Sequence, residues 1–168
     1  MQITRRHLLA LGTATAAAGL IGVGATAVHW WDQPPHAGFK QLSAQEAAIV
    51  RAWAAAAFPG GEAVALDGGQ AGLDHFFDGV LTHTPAIQRK LLKVLLHAVN
   101  NGTLAMCGAR LTTLPGPDAR AVFHQLSAHE VAEVRGAMSG LTVLLGMGYS
   151  THPEVAPIMA RWHRCGYG

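Results

Sequence analysis

Apolar residues recur at intervals of three or four along most of the chain after residue 39, a spacing typical of amphipathic helices. The main stretches with this spacing are 43–58, 70–82, 84–101, 128–145 and 151–159. The pattern contains no alternation of strands with helices, which a parallel sheet would need. The sequence therefore predicts an all-α domain with a single core and about five helices over residues 39–168.

Two Ser-x-x-Glu patterns, Ser43–Glu46 and Ser127–Glu130, predict where two of these helices begin. In such a capping box, each of the two side chains accepts a hydrogen bond from the backbone amide of the other residue. Leu126 and Val131 flank the second pattern in the positions of a hydrophobic staple. The residues around the two patterns are similar, which fits either a duplicated helical hairpin or two helices begun by the same capping chemistry. We favour the second explanation.

Glycine and proline predict where the helices end. The expected ends lie at Pro59, near Asn101 and near Leu145, which Gly146, Gly148 and Tyr149 follow. The segments between these helices have a weaker hydrophobic periodicity. We expect a loop over 62–69, a short helix within 103–113 followed by a loop at 114–117, and one or two helical turns within 118–126.

The N-terminus carries a candidate export signal. Arg5 and Arg6 precede a run from Leu8 to Val28 that contains no charge, and Ala25 and Ala27 occupy the −3 and −1 positions of a cleavage site. The arginine pair resembles a twin-arginine translocation signal, whose route carries folded proteins. We therefore expect residues 1–27 to be a signal peptide and 28–38 a linker that contains Pro34-Pro35. The alternative is an uncleaved membrane anchor, because the uncharged run is long enough to span a bilayer.

Composition and charge exclude several classes of protein. Half of the residues are hydrophobic and only 13% are charged, so the chain is not intrinsically disordered. Lys and Arg number 12 against 10 Asp and Glu, and two of the arginines lie in the leader. The mature domain is thus nearly neutral, and we expect no nucleic-acid partner because binding phosphates requires a basic surface.

Candidate catalytic and metal-binding patterns are incomplete. The sequence has ten histidines, but His124 and His129 are five residues apart, and nothing completes a metal site around His75 and His83. Asp74 and Asp78 form an i, i+4 pair that helix solvation explains better than acid–base catalysis. A nucleophile elbow, a phosphate-binding glycine loop and a covalent haem motif are all missing. We therefore expect no catalytic residue, metal or cofactor in this chain.

Two cysteines, Cys107 and Cys165, would meet an oxidising compartment after export. A disulfide between them would close a loop of about 60 residues and stabilise the domain by several kcal/mol. Alternatively, one cysteine is buried and the other is free or linked to a partner. The sequence leaves both possibilities open, because it does not position the two Cβ atoms.

Several short blocks together resemble the gluconate 2-dehydrogenase subunit 3 family. These are the twin-arginine leader, Phe39 with Leu42-Ser43-x-x-Glu46, Phe58-Pro59, the run Gly148-Tyr149-Ser150-Thr151-His152-Pro153-Glu154-Val155, and the terminal Gly166-Tyr167-Gly168. The resemblance covers residues 39–168, with the middle similar in helical character alone.

The resemblance implies a small, non-catalytic subunit of an exported, periplasmic or membrane-associated dehydrogenase. The large subunit of such complexes, usually of the glucose–methanol–choline type, binds FAD and oxidises sugars, sugar acids or alcohols. A cytochrome c subunit often takes the electrons, and the large subunit is thought to be exported on the leader of the small one. The two other hypotheses are a stand-alone exported binding protein or chaperone, and a histidine–metal enzyme.

The C-terminal segment is the candidate partner surface. Aromatic residues are enriched in binding hot spots, and obligate interfaces are large and apolar. The alternative is that these side chains only cover the core of the domain itself. The candidate interface residues are Tyr149, Ile158, Met159, Trp162 and Tyr167.

Overall fold

The computed structural model describes residues 33–162, except for the side chain of Trp162. This part of the chain contains six α-helices, one short 3-10 turn and no strand, which confirms the predicted all-α class. None of these helices is long and apolar enough to cross a membrane. The helices are α1 (Ala44–Ala57), α2 (Leu73–His83), α3 (Ala86–Cys107), α4 (Gly116–Ser127), α5 (Ala132–Thr151) and α6 (Ala156–Trp162), and the 3-10 turn is Leu111–Thr113.

Helix α1 lies at the centre of the domain and contacts α2, α3, α4, α5 and the 3-10 turn. Its side chains Ile49, Val50 and Trp53 are completely buried, and the Trp53 ring packs edge-on against Phe123 of α4. The helix begins with the predicted capping box. The amide of Ser43 donates to the Glu46 carboxylate at 2.7 Å, and the amide of Glu46 donates to the Ser43 hydroxyl at 3.3 Å.

Helix α3 runs past its predicted end near Asn101 and continues to Cys107, so the short helix expected within 103–113 is reduced to the 3-10 turn Leu111–Thr113. The loop predicted at 114–117 is also shorter, because α4 begins at Gly116. Polar contacts within the helix and with the 3-10 turn accompany this continuation. The buried Thr103 hydroxyl donates to the carbonyl of Asn100, whose side chain accepts from the amide of Thr112. The helix ends instead at Gly108, which has a φ of +77°, a backbone conformation that glycine adopts without strain.

The second predicted capping box is wrong. Ser127 is the last residue of α4, and α5 begins at Ala132 after Val131, without any side-chain cap. Helix α4 is also longer than the predicted one or two turns, because Ala119, Val122 and Leu126 form one buried face. The similarity between the two Ser-x-x-Glu segments therefore reflects no shared capping chemistry, and the hydrophobic staple is absent with it.

Helix α5 continues to Thr151, beyond the end predicted after Leu145. Gly148 does not stop the helix but lets it approach α2, since a Cβ atom there would lie 2.5 Å from Phe76 Cδ1. The chain then turns over residues 152–155, so α6 begins at Ala156 rather than at the predicted Thr151.

The glycine-rich loop predicted over 62–69 extends over 58–72, because α2 begins at Leu73 rather than at the predicted residue 70. The loop packs closely on α1. The amide of Gly68 donates to the carbonyl of Phe58 at 2.8 Å. A Cβ atom on Gly68 would collide with the backbone carbonyl of Ala54 in α1. The glycine therefore allows the loop backbone to lie directly on the helix backbone.

A Gly68→Ala substitution is expected to lower the free energy of unfolding by about 1–3 kcal/mol, the usual cost of overpacking. The atoms that the new methyl group would meet belong to a helix backbone and cannot rotate away. Gly61→Ala is the matched control, because no atom lies within 4 Å of a Cβ built there. Urea denaturation of both variants tests the close approach, and equal stability would contradict it.

Candidate functional site

Most of the residues predicted for the export signal and the C-terminus lie outside the described part of the chain. For Trp162 only the backbone is described. The signal and its cleavage site therefore stay predictions, and so does the aromatic end of the candidate interface. The residues outside the described range are Arg5, Arg6, Ala25, Ala27, Cys165 and Tyr167.

Cys107 is exposed at the end of α3. Its thiol donates to the carbonyl of Thr103 at 3.0 Å, one turn earlier in the same helix. Cys107 is thus accessible to a second thiol, whereas Cys165 is not described. The disulfide between the two remains a prediction.

Tyr149 of the candidate interface is occupied within the domain. Its hydroxyl donates to the carbonyl of Leu66 at 2.6 Å, and its ring stacks on Phe58 at a centroid distance of 4.9 Å. Burial and the negative charge of Asp67 raise the pKa of Tyr149, so the hydroxyl remains a neutral donor. Tyr149 therefore holds the 58–72 loop against α5. For this residue, the contacts support a role in covering the domain's own core rather than in binding a partner.

Ile158 and Met159 are half-buried on α6, which packs against α5. Val155, just before this helix, is completely buried and anchors it. Two large apolar side chains of α5, Val143 and Met147, are 65% and 59% exposed. We call Val143, Met147, Ile158 and Met159 the C-terminal surface.

The histidines considered for metal binding have other contacts. The His75 ring stacks on Phe39 at a centroid distance of 4.5 Å, while His83 Nδ1 lies 2.9 Å from the carbonyl oxygen of Gly79. His129 Nδ1 accepts from the amide of Val131 at 3.1 Å. Among residues 33–162, no three His, Cys, Asp or Glu side chains form a group that could hold a metal ion.

The expectation that Asp74 and Asp78 are solvated is wrong, because both side chains are buried. Asp74 Oδ2 lies 2.6 Å from Arg51 Nη1 of α1. The Asp78 carboxylate accepts three backbone hydrogen bonds of 2.8–2.9 Å, from the amides of Lys40, Gln41 and Leu42. Asp78 thereby fastens the segment before α1 to α2, and we call this arrangement the Asp78 clamp.

A buried ionic cluster of Glu46, Lys93 and His97 joins α1 to α3, and the sequence did not predict it. Lys93 Nζ lies 3.1 Å from Glu46 Oε2, and His97 Nε2 lies 3.6 Å from Glu46 Oε1. Burial alone would raise the pKa of Glu46. The contacts with His97, the Ser43 amide and the Lys93 charge outweigh this effect and hold the pKa below its usual value.

The cluster is suited to joining helices rather than to acid–base chemistry on a substrate. Glu46 and His97 are completely buried, and Lys93 is nearly so. Acid–base catalysis requires a group within hydrogen-bonding reach of the substrate proton, whereas the contacts of Glu46 join it to Ser43, Lys93 and His97 in the interior of the domain. One charged partner left alone in such a site would be costly, so the cluster fixes how α3 sits on α1.

An apolar groove of about 470 Å³ lies between α3 and the α4–α5 pair. Its floor and walls are almost entirely aliphatic, with His129 and Glu133 as the polar side chains. A groove of this composition suits an apolar side chain or helix better than a polar metabolite. The lining residues are Leu95, Ala98, Val99, Gly102, Met106, Leu126, His129, Glu133, Val134, Ala137 and Met138.

Comparison of the chain with protein-family models, curated proteins and solved structures finds no match. The resemblance to the gluconate 2-dehydrogenase subunit 3 family therefore depends on the sequence blocks alone. Two blocks that are far apart in sequence meet in the fold, since Phe58 stacks on Tyr149. The Ser43–Glu46 block forms both the cap of α1 and the buried ionic cluster.

Proposed function

We propose that this chain is the non-catalytic small subunit of an exported, FAD-dependent dehydrogenase of the glucose–methanol–choline type. In this proposal it escorts and stabilises a large subunit that binds FAD and oxidises a sugar, sugar acid or alcohol. Its own leader directs the folded complex through the twin-arginine pathway to the periplasm. A cytochrome c subunit accepts the electrons, so substrate and electron acceptor both belong to partner subunits.

The observation that carries the proposal is the C-terminal surface. Val143 and Met147 are one turn apart on α5 and mostly exposed, and α6 packs beside that helix with Ile158 and Met159 half-buried. Exposed clusters of large apolar side chains mark partner-binding surfaces. Obligate subunit interfaces are apolar in this way. The leader and the resembling blocks suggest that the partner is a flavoprotein.

The test is to purify the tagged chain from the periplasm of its host and identify what accompanies it. We expect a flavoprotein with bound FAD and no export signal of its own. A Val143→Glu/Met147→Glu variant should lose the flavoprotein while keeping its melting temperature, because both positions are exposed. Gln125→Glu, the control, adds a negative charge at an exposed site on α4 and should still co-purify with the flavoprotein.

Replacing Arg5 and Arg6 with lysine in the same strain should leave both proteins in the cytoplasm, still bound to each other. Export of the flavoprotein without the small subunit would contradict the escort role. Purification of the chain without a flavoprotein would instead favour a stand-alone exported binding protein or chaperone.

A further inference from the structure

A half-open cavity of about 270 Å³ lies where the 58–72 loop and the 3-10 turn meet α1 and α4. Packed helices normally fill the space between them with interlocking side chains. The apolar residues that α1 and α4 contribute here are alanines, which leave room for a small molecule. The apolar wall of the cavity is formed by Ala52, Ala55, Ala56, Leu111, Leu114 and Ala119.

Two residues of opposite charge also line this cavity, Asp67 from the loop and Arg120 from α4. Asp67 is half-buried and Arg120 is exposed. Within residues 33–162, neither side chain forms an ion pair with the other or with a third residue. Two opposite charges that share a cavity without pairing are suited to a ligand that carries both complementary charges.

The backbone around Asp67 holds its carboxylate in place. Asp67 Oδ1 accepts from the amide of Gln70 at 3.0 Å, which leaves Oδ2 for a ligand. The next residue, Gly68, donates to the carbonyl of Phe58 at 2.8 Å and lies directly on the backbone of α1. A group that is already fixed in position loses little conformational freedom when a ligand binds.

The α4 side of the cavity suits a carboxylate. Helix α4 begins at Gly116, which lines the cavity, and Pro115 before it provides no side-chain cap. The first amides of an uncapped helix favour a negative group. Arg120 lies one turn further along and can bind a carboxylate through two parallel hydrogen bonds. The acidic residue of the first turn, Asp118, is exposed and is not part of the cavity lining.

We propose that this cavity binds a small aliphatic amino acid in its zwitterionic form. The carboxylate of the ligand pairs with Arg120 at the start of α4, its ammonium group pairs with Asp67, and its side chain packs on the alanine and leucine wall. The volume is just below the range of about 300–1,000 Å³ that is typical of drug-sized ligands, so it fits a smaller molecule. The site uses no residue of the C-terminal surface and goes beyond the function proposed above.

Calorimetric titration of the full chain with three related molecules is the first test. L-leucine carries both charges, 4-methylpentanoate lacks the ammonium group, and 3-methylbutylamine lacks the carboxylate. We expect one leucine to bind per chain. Each of the other two should bind at least about tenfold more weakly, because each loses one set of charge-assisted hydrogen bonds.

Two variants assign the charges of the ligand to the two side chains. Asp67→Asn keeps the acceptor for the Gln70 amide, and it should raise the Kd of leucine at least about tenfold without weakening 4-methylpentanoate. Arg120→Gln should weaken leucine to a similar extent without weakening 3-methylbutylamine. Glu62→Gln and Arg161→Gln are the matched controls, because they make the same changes of charge at exposed sites outside the cavity and should leave leucine binding unchanged.

No saturable binding of leucine, valine or alanine at about 10 mM would overturn the proposal, since even a weak site with a Kd of about 1 mM would be mostly filled. Equal affinity for leucine and 4-methylpentanoate would indicate an anion site and would overturn the zwitterion assignment. Leucine binding that neither variant weakens would place the ligand elsewhere. Co-purification of the flavoprotein should be unaffected by Asp67→Asn and Arg120→Gln, which separates these outcomes from the test of the proposed function.

Discussion

A Glu46→Gln variant is expected to be about 3–5 kcal/mol less stable than the wild-type chain, the typical cost of breaking a buried ion pair. Glutamine can still accept from the Ser43 amide, so the cap of α1 survives the change. The Lys93 ammonium, however, loses its carboxylate at a buried position. Chemical denaturation monitored by the helical circular dichroism signal measures the difference.

The matched control is the double variant Glu46→Gln/Lys93→Met, which removes both charges and keeps the cap. It should regain much of the lost stability, because methionine fills a similar volume without a charge to desolvate. A double-mutant cycle then isolates the interaction between the two residues. If the double variant is as unstable as the sum of the single ones, the two side chains do not interact and the cluster is not an ion pair.

The pH dependence of the same variants provides an independent check. Because the pKa of Glu46 is lower in the folded chain than its ordinary value of 4.5, the folded state favours the ionised form. The resulting stabilisation is present above pH 4.5 and is lost as the pH falls through the lowered pKa. The stability difference between the wild type and Glu46→Gln should therefore shrink below pH 4.5. A difference that stays constant across this range would contradict the assignment.

The helices could be predicted from the sequence because each buries a face with helical spacing, as the six buried apolar residues of α1 illustrate. The ends of the helices could not be predicted where tertiary contacts override the helix-ending preference of residues such as glycine. Helix ends were expected near Asn101 and at Gly148, yet both helices continue. Asn100 accepts from the amide of Thr112, and the Tyr149 hydroxyl donates to the carbonyl of Leu66, so both regions have partners elsewhere in the fold. Ser127 likewise extends α4 instead of capping α5.

The polar sites were harder to predict, because their partners are distant in sequence. A periodic pattern shows that α3 has an apolar face but not whether that face points inward. Ile87 and Leu91 belong to the apolar set that the spacing of α3 defines, and both are exposed. The sequence contained one indication of this orientation. Lys93, His97 and Asn100 share a helix face with the apolar Leu96, whereas a solvent-exposed face would be expected to lack a large apolar residue at its centre. Asp78 gave no signal, because its partners are backbone amides 36–38 residues away.

An Asp78→Ala variant is expected to lose about 2–4 kcal/mol of stability, because it leaves three backbone amides without an acceptor, and hydrogen bonds to a charged group are the stronger kind. The amide of Leu42 is buried and gains little compensation from water. Glu62→Gln, at an exposed loop position, changes the charge by the same amount and should have no effect on stability.

Hydrogen exchange tells the loss of the Asp78 clamp apart from a general loss of stability. The amides of Lys40, Gln41 and Leu42 should exchange much faster in Asp78→Ala, while those in the middle of α1 and α2 stay protected. In Asp78→Asn, these amides should exchange at rates between those of the wild type and Asp78→Ala. The asparagine oxygen can still accept from Gln41 and Leu42, whereas its NH₂ group meets the amide of Lys40. Uniform loss of protection across α1 and α2 would show that Asp78 supports the whole core. In that case, Asp78 would not specifically hold the segment that precedes α1.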